Sequence, residues 1–191
     1  MHLMTNKLKY LAARADGCIG ADADNQSANT EISVKWEGNQ CRFLHTASGK
    51  FITVKPNGSM FANGDGSEEN SLFEFNIINR PTLMLRGQYG FVGVKGASGR
   101  VECNRARGTV FTLECNKGAY RLKTPEGKYW TVDQDGVAAT SSSPVDFYFE
   151  FSKRSKVLIK HAESGRYLEG EQNGGFKATG SAENINTLWE F

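Results

Sequence analysis

The side chains able to carry chemistry in this sequence are few and widely scattered. His2, His45 and His161 are its imidazoles, and none has a partner at metal-ligand spacing. Each is expected on the surface or at a strand edge. Ser141, Ser142 and Ser143 form a polar run outside the strand-turn-helix setting that exposes a nucleophilic serine, so they read as turn residues. Glu68 and Glu69 fall in a loop beside Asp65 and Gly66, and their spacing does not set two carboxylates across a cleft as glycoside hydrolysis requires. Cys18, Cys41, Cys103 and Cys115 lie far apart with no C-x-x-C pair, which fits reduced structural thiols better than a zinc site or a secreted disulfide framework. Together these features predict a binding protein rather than an enzyme, with no metal and no cofactor.

Charge narrows the partners. The net charge of +2, from 23 basic and 21 acidic residues, is too balanced for a general nucleic-acid binder. Basic residues nevertheless cluster: Arg100, Arg105 and Arg107 in one stretch, Lys153, Arg154, Lys156 and Lys160 in another. Such patches steer acidic partners, and they also guard strand edges against aggregation. The longest apolar runs are far short of the roughly 20 residues that span a bilayer. With no signal-like opening segment, the expectation is a monomer in the cytosol that does not insert into membranes.

The elements that must position these residues come from a repeat. Tyr10, Phe51, Phe91, Tyr129 and Tyr167 recur at steps of 41, 40, 38 and 38 residues. A turn glycine follows each one, at Gly17, Gly58, Gly99, Gly136 and Gly174, with an apolar residue close behind. Each copy closes on two large apolar residues one apart: Val34 and Trp36, Phe73 and Phe75, Phe111 and Leu113, Phe149 and Phe151, Trp189 and Phe191. That spacing puts both members on one face of a strand. The later copies also open with extended runs, CRFLH, TLMLR, YRLKT and KVLIK. Four strands in about forty residues, without helical periodicity, predict an all-β protein.

Units of this kind build either a β-propeller or a β-trefoil. The Gly-His, Trp-Asp and kelch signatures of propellers are missing, and the aromatic with its closing apolar pair suits a trefoil. Five units then divide as an incomplete β-trefoil over residues 1–78, holding two of three units, and a complete one over 79–191. Asn79, Arg80 and Pro81 are the expected joint, since proline resists a central strand. The open side of the incomplete barrel would expose apolar surface at a cost of about 25 cal/mol per Å².

The strings INRPTLMLRGQYGFVGV, GAYRLKTPEGKYWTV, SPVDFYFEF, GRYLEG and LWEF resemble the C-terminal part of the fascin family, whose members are actin-bundling proteins of four tandem β-trefoils. The resemblance covers essentially the whole chain, with residues from about 79 onward like the fourth trefoil and those before it like the last two units of the third. It implies actin filaments as partner, crosslinking as activity, and a place in the cytoplasmic actin cytoskeleton and its filopodia. This chain would supply only part of the filament-binding surface, because the family's first trefoil shares in a principal site. Position by position, the resemblance implies contacts from the turn Arg86 to Gly90, with Gln88 and Tyr89 at its tip, from Lys95, and from the loop Glu169 to Gly174 with Glu171 and Gln172. Gln88 and Tyr89 stand where the family leads one to expect an acid and a histidine, and Glu169 where a lysine is expected. The alternative is a trefoil that binds glycan or another polyanion through basic strand edges. A ricin-type lectin is disfavoured, because Trp36, Trp130 and Trp189 follow Val34, Lys128 and Thr187 rather than the glutamine of Gln-x-Trp.

Overall fold

The computed structural model describes residues 1–77, 81–134, 136–152 and 156–191. It is an all-β protein that separates into two compact units, Met1–Phe75 and Asn76–Phe191. Asn79 and Arg80 of the expected joint lie outside the described residues.

The first unit holds β1 (Tyr10–Ala13), β2 (Ile19–Ala23), β3 (Ile32–Glu37), β4 (Gln40–His45), β5 (Lys50–Val54), β6 (Met60–Gly64) and β7 (Phe73–Glu74). Two hairpins, β1–β2 and β5–β6, stand beside a run in which β3 pairs with β4 and β4 with β7. The opening residues extend this run, for Ile32 N–H donates to Met1 O at 2.9 Å. The core is small: Ile32, Ile52 and Ala62 are buried, backed by half-buried Leu3, Phe43, Met60 and Phe73. The hairpins interlock where Ala62 N–H donates to Gly17 O at 2.8 Å, but a Cβ at the equivalent turn glycine, Gly58, would meet nothing within 4 Å.

The second unit holds β8 (Thr82–Leu83), β9 (Arg86–Gly87), β10 (Gly90–Lys95), β11 (Arg100–Arg105), β12 (Phe111–Asn116), β13 (Ala119–Lys123), β14 (Tyr129–Asp133), β15 (Gly136–Ser141), β16 (Phe147–Phe151), β17 (Val157–His161), β18 (Tyr167–Gly170) and β19 (Phe176–Gly180). Pairing runs in a closed circuit: β8 with β12, β12 with β13, β13 with β16, and β16 with β17. Val157 then bridges to Trp189, and Glu190 bridges back to Arg86. Leu83 opposite Phe111, Tyr120 opposite Phe147 and Val157 opposite Trp189 are the same contact made three times.

Three hairpins, β10–β11, β14–β15 and β18–β19, cap this ring, each turn lying on the next hairpin. Ala139 N–H donates to Gly99 O at 2.7 Å and Cys103 N–H to Gly174 O at 3.1 Å. Gly136 completes the set, for a Cβ there would stand 2.7 Å from Phe176 O, and its φ of 128° already favours glycine. Trp130, fully buried, fills the centre with edge-on contacts to Phe111, Phe147 and Phe176 at centroid distances of 4.8, 5.9 and 5.5 Å.

The recurring aromatics begin strands as the repeat predicts, yet they are only half-buried, and the residue after each in the last four copies, Ile52, Val92, Trp130 and Leu168, carries the core. A second role explains the tyrosines. Tyr129 OH donates to Glu114 Oε2 at 2.9 Å and Tyr167 OH to Glu150 Oε2 at 2.7 Å, tying each repeat to the closing strand before it. Lys123 and Lys160 lie over these rings, at 4.9 and 4.7 Å, and pair with the same carboxylates. The closing pairs also need a correction of phase. By strand register the equivalent of Phe111 is Phe147, two residues before Phe149, and in the first unit Ile32 rather than Val34 reaches the buried core.

The histidines need a second correction. His45 and His161 are buried, 4% and 6% exposed, instead of lying at the surface. Each ends an opening strand facing inward, its Nδ1 hydrogen-bonded to a serine hydroxyl three residues on, Ser48 at 2.8 Å and Ser164 at 2.9 Å. Burial pushes His161 below the ordinary histidine range, with Glu163 pulling weakly the other way.

Candidate functional site

The turn from Arg86 to Gly90 is a tight connection in which Gly87 pairs with Gly90, leaving Gln88 exposed and Tyr89 half-buried at the tip. Gly90 has a φ of 141°, and a Cβ on it would come 2.9 Å from Arg105 O, so the turn presses on β11. The Arg86 guanidinium stacks on Phe91, 5.5 Å from the ring centroid. Behind the turn stands Trp189, whose Nε1 donates to Leu168 O at 3.1 Å. The same indole faces Gly170, where a Cβ would lie 3.0 Å away. The turn and the loop after β18 therefore share one aromatic support.

In that loop Glu171 pairs with Lys177 at 3.1 Å, and Gln172 O accepts from Asn104 Nδ2 at 3.2 Å. Glu169 accepts from Thr179 Oγ1 at 3.3 Å. Lys95, at the far end of β10, donates to Glu102 at 2.8 Å, and Arg105 reaches the other oxygen of that carboxylate at 3.2 Å. The Lys95 hydrogen bond, with Arg105 adding to it, holds the Glu102 carboxyl below its usual range.

These groups meet in a cleft of about 290 Å³ lined by Lys95, Arg100, Glu102, Glu171 and Lys177. The structure thus joins Lys95 to the loop, and it adds Lys177, which stands on β19 opposite Glu169 and for which the sequence offers no signal. It does not bring Arg86, Gln88 and Tyr89 into the cleft, because a strand of roughly 3.3 Å per residue separates the turn from Lys95. Of the two basic clusters, Lys156 pairs with Glu190 at 3.3 Å and Lys160 with the buried Glu150 at 2.6 Å. Lys160 is therefore turned inward. Arg107 is exposed, and Lys153 and Arg154 lie outside the described residues.

The other chemical candidates have structural roles. The Glu68 carboxylate accepts from the N–H groups of Asp65 and Gly66, both at 3.0 Å, and shapes that turn. Ser141 Oγ accepts from Ser143 N–H at 2.9 Å. Cys18, Cys41, Cys103 and Cys115 are free thiols, with burial pushing Cys41 up to about 12. Among the described residues no three His, Cys, Asp or Glu side chains converge as a metal cluster, and no helix is long and apolar enough to cross a membrane.

A closed six-segment ring capped by three interlocked hairpins defines the second unit as a β-trefoil. Comparison with known proteins specifies the class further: residues 88–191 match the model of the fascin domain. The chain belongs to the fascin family. It is 33% identical over 183 residues to the fascin of Strongylocentrotus purpuratus, covering 96% of this chain and 36% of that protein. It is 36% identical over 183 residues to Fascin-2 of Mus musculus, covering 95% of this chain and 37% of the relative. With Fascin-3 of Homo sapiens the identity is 26% over 184 residues, covering 95% of this chain and 36% of the relative. The chain spans little more than a third of the length of these relatives.

Proposed function

We propose that this chain is a filament-binding part of an actin-bundling protein, contacting actin through the Arg86–Gly90 turn, Lys95 and the Glu169–Gly174 loop. The observation that carries this reading is the shared seat of turn and loop on Trp189, which fixes two separate exposed segments as one rigid face on a fascin-family trefoil. Rigidity matters because a crosslinker must hold its filament contacts at constant spacing, and most backbone groups here are committed to the ring or the cap. Residues 1–78 act in this reading as two thirds of one trefoil and 79–191 as a whole one.

Bundling requires two filament-binding surfaces on one molecule, so these 191 residues bind single filaments weakly and do not bundle them by themselves. The expected partner places the protein in the cytoplasm, as a monomer that binds rather than catalyses. High-speed sedimentation, which pellets single filaments, is expected to carry the chain down in part. Low-speed sedimentation, which pellets bundles, is expected not to. Efficient low-speed pelleting, or none at either speed, contradicts the reading.

A further inference from the structure

Most cations named above on the second unit are engaged within it. Lys95 and Arg105 hold Glu102, Lys156 holds Glu190, Lys160 holds Glu150 and Lys177 holds Glu171. Arg86 and Arg107 differ: both are exposed, and neither makes an ion pair among the described residues. Near them are two apolar side chains that the core does not use. Met84 is 40% exposed and Val110 45%.

These residues form one face. The register that sets Leu83 opposite Phe111 carries Val110 alongside Met84. Met84 lies over Gly108, where a Cβ would stand 2.6 Å from its Cγ and 3.3 Å from Phe91 Cβ. Phe91 is half-buried and bears the Arg86 guanidinium. Arg107, the exposed residue that precedes Gly108 in the chain, brings a second guanidinium to this region. An apolar centre with guanidinium groups at its rim is the composition of a protein contact: burying the centre supplies affinity, and the arginines select carboxylates. A glycan or polyanion would use the charge and leave Met84 and Val110 in water.

We propose that Met84, Val110 and Phe91, flanked by Arg86 and Arg107, form a docking surface for an acidic protein partner that places an apolar side chain between the arginines. The partner is the actin filament, a step that rests on the filament-binding reading above. High-speed co-sedimentation of the whole chain with actin filaments tests this with a Met84→Ser/Val110→Ser double variant, Met84→Leu and Arg107→Glu. The double variant is expected to bind about tenfold more weakly, as loss of part of two buried apolar side chains implies. Met84→Leu keeps the apolar surface and binds as the unaltered chain does, while Arg107→Glu weakens binding most at low salt. Unchanged binding by the double variant and by Arg107→Glu overturns this surface and leaves the filament reading standing. Failure of the unaltered chain to pellet at any concentration overturns both. If thermal unfolding shows the double variant destabilised, Arg107→Glu, on an exposed residue, decides the question.

Discussion

Gly87 lies against the indole of Trp189 so closely that a Cβ on it would stand 2.5 Å from Cζ3 of that ring. The contact couples the exposed Arg86–Gly90 turn to a fully buried residue more than a hundred positions further along the chain. Gly87→Ala must move either the ring or the turn. It is expected to cost about 1–3 kcal/mol, as overpacking does, and to weaken filament binding as well. Chemical denaturation followed by tryptophan fluorescence measures the first effect and co-sedimentation the second.

Two lysines that look alike in sequence should behave in opposite ways. Lys160 neutralises Glu150, which is 3% exposed, so Lys160→Ala leaves a buried carboxylate with the Tyr167 hydroxyl but no counter-charge and is expected to cost about 3–5 kcal/mol. Lys95 is 59% exposed in its pair with Glu102, and Lys95→Ala should cost about 0–1 kcal/mol. Filament binding should follow the reverse order, falling for Lys95→Ala in any variant that remains folded. Urea titrations of both variants beside co-sedimentation separate the two roles.

Charge at the loop offers a gain-of-function test. The Glu169 carboxylate is held by a 3.3 Å hydrogen bond from Thr179, a weak tie, so its replacement disturbs little. Glu169→Lys restores the charge expected of the family at that position and should tighten filament binding several-fold at low ionic strength, with the gain fading as salt screens it. Unchanged binding across a salt series would remove this loop from the filament contact.

Stability should depend on pH through His161. Burial lowers its folded-state value, so the unfolded chain takes up a proton near its ordinary pKa of about 6.5 while the folded protein resists it. The contribution of neutral His161 is therefore complete above about pH 6.5 and is lost as pH falls through that value, levelling off below the folded-state pKa. His161→Gln should flatten that part of the profile, as read from denaturation midpoints on either side of that value.

Much of this fold is legible in the sequence because a trefoil repeats its constraints. The turn glycines Gly99, Gly136 and Gly174 stand where one hairpin lies on the next, and side chains would collide there. The recurring aromatics mark the strands, but which neighbour is buried depends on strand twist and bulges, such as the register shift between Tyr129 and Trp130, and no period-two pattern encodes that. The phase of the closing strands escapes the sequence for a related reason, since Phe147, Phe149 and Phe151 all satisfy the spacing and only cross-strand pairing with Tyr120 chooses among them. His45 and His161 defy the surface expectation because an inward imidazole held by a nearby serine hydroxyl looks polar in sequence. The candidate contacts come from family resemblance, whereas Lys177 joins the loop through the register of its own hairpin and Met84 meets Val110 only through a pairing more distant in the chain.

Arg86 and Glu190 exchange both backbone hydrogen bonds, at 2.9 and 2.8 Å, and so stitch the opening of the second unit to its closing segment. A nascent chain emerging from the ribosome cannot complete this seam until Glu190 has cleared the exit tunnel. The trefoil must therefore wait, its greasy interior exposed, and a premature stop only a few codons before Trp189 would leave a barrel that never shuts.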